Sequence, residues 1–181
     1  MRRRNRHTLI IAALAGAALL PIGCKRNEQP PRAQTIEEEP PGLATIVHVA
    51  DPRASLQLIK GFHEVEQNAW RWTMGKFAVT LRPPRNAATR GAALQLKFSI
   101  PEALIERLKS VTLSARAGTH DLAPETYTQA GEFVYSRDVP GDILAGEAVT
   151  VEFALDKYLP VGAVDQRELG VVVSTIGFEA K

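Results

Sequence analysis

Residues 93–100 read ALQLKFSI. On an extended chain Leu94, Leu96, Phe98 and Ile100 fall on one face and Gln95, Lys97 and Ser99 on the other, because successive side chains alternate. A period of two sustained this long is the pattern of a strand with one buried and one solvated side. The pattern returns twice. In SVTLSARA (110–117) Val111, Leu113 and Ala115 share a face, and in AVTVEFAL (148–155) Val149, Val151, Phe153 and Leu155 do so.

Outward from these segments the apolar residues continue in short runs: 43–49, 56–62, 70–72, 76–81, 132–137 and 169–178. Pro83-Pro84, Gly118, Gly131, Pro140-Gly141 and Gly146 fall between runs, where turns need a fixed or a permissive φ. The main exception is Pro101 to Leu108. Pro101 suits a first helical turn, and Ala103, Leu104, Arg107 and Leu108 have helical spacing, so a short helix or turn is expected to bridge two sheets. Eight or nine strands in about 135 residues imply an all-β fold. The expected form is an antiparallel β-sandwich, jelly-roll-like, with that one short helix.

Composition sets the class of partner. The chain has 181 residues, 45% hydrophobic and 23% charged, which is ordinary for a globular protein. Its formal charge of +2 includes Arg2, Arg3, Arg4 and Arg6. Removing those four from the 22 basic residues leaves 18 against 20 acidic, a net −2. A chain this close to neutral has no electrostatic case for nucleic acid. The single cysteine, Cys24, rules out an intramolecular disulfide and any cysteine metal cluster.

The first 24 residues read as an export signal. Four arginines precede the twelve-residue apolar run LIIAALAGAALL (9–20), and Lys25 and Arg26 end it. A membrane-spanning helix needs about 20 apolar residues. LPIGC (20–24) resembles the lipobox of bacterial lipoproteins in its Gly23-Cys24, although Pro21 stands where a leucine is usual and Leu20 lies one place further back. The resemblance implies cleavage before Cys24, lipid (palmitate-type) attachment at Cys24 and a membrane anchor. Lys25 after the cysteine implies an outer-membrane lipoprotein, facing the periplasm or the cell surface. An ordinary secreted protein and an uncleaved anchor are the alternatives. The expected organisation is a signal peptide over 1–23, a lipidated N-terminus and tether over 24–42, and a β-sandwich domain over 43–181. The tether, KRNEQPPRAQTIEEEPPG (25–42), has four prolines and almost no apolar residue. Such a segment stays extended and solvated, and about 18 residues reach roughly 50 Å when stretched.

Two longer stretches, GFHEVEQNAWRWTMGKFAVTL (61–81) and VDQRELGVVVSTIGF (164–178), resemble bacterial β-sandwich domains of the galactose-binding-like and carbohydrate-binding jelly-roll kind. The matching pieces are Gly61-Phe62 with Glu64, Trp70-Arg71-Trp72-Thr73, and Asp165, Arg167 and Leu169-Gly170. The resemblance implies a non-catalytic accessory or binding domain and brings no ligand list with it.

The candidate ligand-binding residues are Glu64, Trp70, Arg71, Trp72, Asp165 and Arg167. Trp70 and Trp72 are the only tryptophans, and two-residue spacing puts both on one strand face. They can form an aromatic platform for the apolar face of a sugar, with Glu64 or Arg71 bonding its hydroxyls. Alternatively Trp72 is core, Trp70 covers a sheet end, and Glu64 pairs with Arg71. Asp165 and Arg167 read either as a ligand clamp or as a brace of the loop before the last strand. His48, His63 and the His120-Asp121 pair, expected in a loop, have no recognised metal-ligand spacing. Glu64 and Glu66 share a strand face with nothing to mark a shifted acid. No Gly-x-Ser-x-Gly elbow or phosphate-cradling loop is present in the sequence. No catalytic residue, metal or cofactor is assigned. The expectation is a lipid-anchored, non-enzymatic cell-envelope protein binding a glycan or another envelope component. The alternative is a structural or assembly lipoprotein that docks another envelope protein with no small-molecule ligand.

Overall fold

A computed structural model describes residues 42–181. The signal segment, Cys24 and most of the tether lie outside the described residues. Nine antiparallel strands run in the order β1 (Ile46–His48), β2 (Leu58–Glu66), β3 (Trp70–Leu81), β4 (Ala92–Ile100), β5 (Val111–Ala117), β6 (His120–Tyr127), β7 (Gly131–Val139), β8 (Val149–Leu155) and β9 (Val172–Ala180). Two short α-helices, α1 (Ala87–Arg90) and α2 (Glu102–Leu108), and one 3-10 helix (Pro52–Leu56) join them, where one short helix was expected.

The ladders form a first sheet in the order β2-β3-β8-β5-β6 and a second in the order β1-β9-β4-β7. With β2 set aside as a hairpin partner of β3, these are the two four-strand orders of a jelly roll. The expected antiparallel β-sandwich is what forms. Aromatic rings close the layer between the sheets. Phe98 on β4 meets Tyr127 on β6 edge-on at 5.2 Å. Leu94, Leu96, Phe98 and Ile100, with Val111, Leu113, Val149, Val151, Phe153 and Leu155, are all buried, as their alternation requires.

The two sheets are continuous through β3. Lys76 to Leu81 pair with β8, whereas Arg71 and Trp72 pair with β9 along the same edge. Between them, Thr73 N–H donates to Val171 O at 2.8 Å, and Gly170 N–H donates to Thr73 O at 2.6 Å. Thr73 is wholly buried, and its Oγ1 accepts from Val171 N–H at 3.1 Å, so its amide, carbonyl and hydroxyl oxygen all have partners. The approach there is close. A Cβ on Gly170 would stand 2.6 Å from Thr73 Oγ1 and 2.7 Å from Met74 O, and one on Gly75 would enter the Tyr158 ring.

The expected short helix forms as α2. In α2 the inward side chains are Leu104, Ile105 and Leu108, while Ala103 is exposed. It does carry the chain from β4 in one sheet to β5 in the other. The segments 70–72 and 76–81 are one strand, not two, because β3 changes partner without breaking. His120 and Asp121 are also not in a loop; they open β6, whose alternation is hidden by exposed Ala123 and Pro124.

Two bulges shape the outer faces. Lys97 pairs with Thr175 but Phe98 with Val173, so Ser174 is an extra residue on β9. Leu113 pairs with Glu125 and Ala115 with Leu122, so Ala123-Pro124 oppose Ser114 alone. A bulge bends its strand and re-aims the neighbouring side chains.

Candidate functional site

The segments that carried the family resemblance meet at the β3 corner. Arg167 donates from Nη2 to Asp165 at 2.8 Å and from Nη1 to Glu66 at 2.8 Å, joining the loop before β9 to the end of β2. Arg167 N–H also donates to Asp165 Oδ1 at 3.2 Å. The next residue continues the lacing. Glu168 accepts from Gly75 N–H at 2.7 Å, and its carbonyl lies 2.6 Å from His63 Nε2. Asp165 and Arg167 are thus placed as a brace of this loop.

Arg71 is committed in the same way. Its Nε donates to Val49 O at 2.7 Å and its Nη1 to His63 O at 2.8 Å, tying β2 and the end of β1 to β3. The pairing of Glu64 with Arg71 does not form, because the guanidinium is turned to these carbonyls. Glu64 is solvent-exposed. His48 meets Thr175 on the second sheet, and Asp121 pairs with Arg116 on the first, so these residues do not converge with His63.

Trp70 and Trp72 project on the outer side of the second sheet. Trp72 pairs with Val172, which in turn sits beside Ser99 and Glu132 across β9, β4 and β7. The next outward row is His48, Thr175, Lys97 and Val134. Both indoles are half-buried, and they stand edge to face at 6.5 Å and 82°. Trp72 packs on the core, whereas Trp70 forms a wall of an open groove.

This groove of about 450 Å³ is lined by Trp70, Lys97, Ser99, Glu132, Val134, Val172 and Ser174, with Phe98 and Phe133 at its base. The bulge at Ser174 produces it. Ser174 Oγ turns to Lys97 O at 3.3 Å, while its carbonyl accepts from Val49 N–H. Among the described residues no side chain hydrogen-bonds or pairs with Lys97 Nζ, the Glu132 carboxylate or the Ser99 hydroxyl, so all three are available to a ligand. Behind the base, Tyr127 packs against Phe98 and Phe133. Its buried hydroxyl has no hydrogen-bond partner among the described residues, and burial pushes the phenol well above its usual value.

The sequence reading placed Lys97 and Ser99 on a polar face but did not join them to Trp70, Glu132 and Ser174. That juxtaposition depends on cross-strand register. The only local sign of it was the polar half of the ALQLKFSI alternation.

No protein-family model and no curated protein matches the chain. Solved structures give distant likenesses. The chain is similar to the CBM36-1 domain of a multidomain xylanase from the hindgut metagenome of Trinervitermes trinervoides. Identity there is 11% and the TM-score 0.41, over 76% of this chain and 97% of that one. It is also similar to a family GH115 4-O-methyl-alpha-glucuronidase with specificity for decorated arabinogalactans, at 8% identity and a TM-score of 0.41. That likeness covers 78% of this chain and 18% of the other. A CBM4 structure gives 11% identity and a TM-score of 0.34, over 75% of this chain and 85% of that one. Identity this low transfers no binding residue to this chain.

The brace has a pH signature. Hydrogen bonds from Arg167 hold the Asp165 carboxyl below the ordinary 3.8 by stabilising its charged form. Because the folded value lies below the unfolded one, the brace contributes fully above the unfolded value and is lost as pH falls through the folded value. An NMR titration is expected to place the Asp165 midpoint below 3.8, and Arg167→Ala to return it there. A midpoint at or above 3.8 in the unaltered protein would contradict the brace.

Proposed function

We propose that the chain is a lipid-anchored, non-enzymatic envelope protein that binds a glycan in the Trp70 groove. The observation that carries this reading is one half-buried indole, fixed edge-on by a second, beside unpaired Lys97, Ser99 and Glu132. A pyranose ring has an apolar C–H face and an equatorial belt of hydroxyls. An indole face takes the first, and a carboxylate, an ammonium and a hydroxyl take the second. Because Trp72 restrains Trp70, little rotamer freedom remains to be lost on binding.

The groove volume lies in the range of about 300–1,000 Å³ typical of small-ligand clefts. It is open along the sheet, which suits part of a polymer better than an enclosed small molecule. Residues 43–181 act in this reading as the binding domain, and residues 24–42 as a tether from lipidated Cys24. Docking of another envelope protein remains the second reading, and it draws on Tyr158, Val161 and Val164, exposed in the loop after β8.

Two measurements test the proposal. On a glycan array, the protein is expected to retain a defined set of ligands, and Trp70→Ala to weaken them at least about tenfold, the loss of roughly 1.4 kcal/mol of stacking. The variant's thermal transition should stay within a few degrees, since Trp70 is outside the core. Absence of binding by the folded, unaltered protein removes the glycan reading. Labelled palmitate is expected to mark the exported chain and to spare Cys24→Ser; equal labelling of both removes the anchor.

A further inference from the structure

The opposite outer face holds a second groove, of about 520 Å³, made by the other bulge. Two cross-strand rows define it. One runs Lys60, Ala78, Glu152, Arg116, Asp121 over β2, β3, β8, β5 and β6. The other runs Lys76, Ala154, Ser114 over β3, β8 and β5, and ends where Ala123-Pro124 bulge away. Ala154 and Ser114 are small, so the second row is a trough between long side chains. The bulge lowers its far wall and brings Leu122 and Ala115 into the lining.

The charges in the two rows differ. In the first row Lys60 pairs with Glu152 at 3.0 Å and Arg116 with Asp121 at 2.5 Å. In the second, Lys76 has no carboxylate partner among the described residues. Arg116 reaches Asp121 through Nε, and among the described residues no hydrogen bond occupies its two Nη groups. The groove therefore keeps one uncompensated positive charge and an open guanidinium edge. β3 and β5 lie on either side of β8, roughly 10 Å apart at the usual strand spacing. Lys76 and Arg116 both line this one groove, from strands that flank Ala154 on β8.

We infer that this groove binds the carboxylate of an acidic sugar chain, a uronate-type oligosaccharide, at Lys76 and Arg116. A planar carboxylate matches the two-pronged guanidinium edge, and Lys76 supplies the balancing charge. The remaining oxygens of Glu152 and Asp121 accept sugar hydroxyls along the rim, which a bare anion does not use. Ala154 is the outward apolar side chain at the floor of the groove, which is also lined by the core residues Ala115, Leu122 and Phe153. The existing ion pairs engage Lys60 Nζ and Arg116 Nε, so neither has to break for a ligand to bind. The site is separate from the Trp70 groove, and each can fail without the other.

The test is a titration of the full chain with trigalacturonate and with its methyl ester, followed by calorimetry and by backbone amide shifts. Trigalacturonate is expected to shift the amides of Lys76, Ser114 and Ala154 and to weaken with added salt. The ester is expected to bind about tenfold more weakly, since the charge-assisted bonds are lost. Lys76→Glu should abolish binding and Trp70→Ala should leave it unchanged, both with an unaltered thermal transition. Equal affinity for acid and ester overturns the proposal, as do shifts confined to the Trp70 face. It is likewise overturned if poly-glutamate or inorganic phosphate shifts the same amides with the same affinity.

Discussion

A buried threonine hydroxyl at a strand corner holds the sandwich together. Thr73 bonds to Val171 through both its amide and its side chain, and to Gly170 through its carbonyl. Here β3 leaves β9 and crosses to β8, so one strand serves both sheets. Buried backbone groups at a change of partner would otherwise be left unpaired, at a cost of about 1–3 kcal/mol each. Thr73 Oγ1 meets this demand, and Gly170 lets the two chains come close enough. The lacing by Arg71, Arg167 and Glu168 surrounds the same corner, so several polar side chains that look like ligand donors are occupied by the fold.

That occupation moves the binding question to the outer faces. Bulge residues line both grooves, Ser174 on the second sheet and Pro124 on the first, whose β2–β3 ladder is irregular as well. The extra residue bends the ladder and leaves small or short side chains between long ones. The two grooves differ in character. One offers an aromatic wall with a mixed polar rim, the other a cationic trough without an exposed aromatic ring. A single sandwich can therefore present two unlike surfaces with no change to its core.

Much of the scaffold was legible in the chain, because β4, β5 and β8 are buried on one side only and the apolar period of two survives intact. β6 was not legible. It is an edge strand with Pro124 at a bulge and with exposed residues on both faces, so its period is broken where burial is absent. β3 read as two runs because Thr73 and Gly75 interrupt the apolar pattern at the corner, where the strand changes partner instead of ending. The site was legible only in part. Trp70 stands out by residue type, but Lys97, Glu132 and Ser174 are ordinary exposed residues, and only register across β9, β4 and β7 brings them beside it. Arg71, Asp165 and Arg167 stayed ambiguous for the opposite reason, since a charged residue near a loop looks the same in sequence whether it binds a ligand or a carbonyl.

Amide hydrogen exchange at the corner is the most direct measurement of this account. The N–H groups of Thr73 and Val171 should be among the slowest in the protein, exchanging only through global unfolding, with the same denaturant dependence as the centre of β4. Exchange at Thr73 and Val171 as fast as in the loop after β8, with β4 still protected, would show two sheets held together by something other than their shared strand.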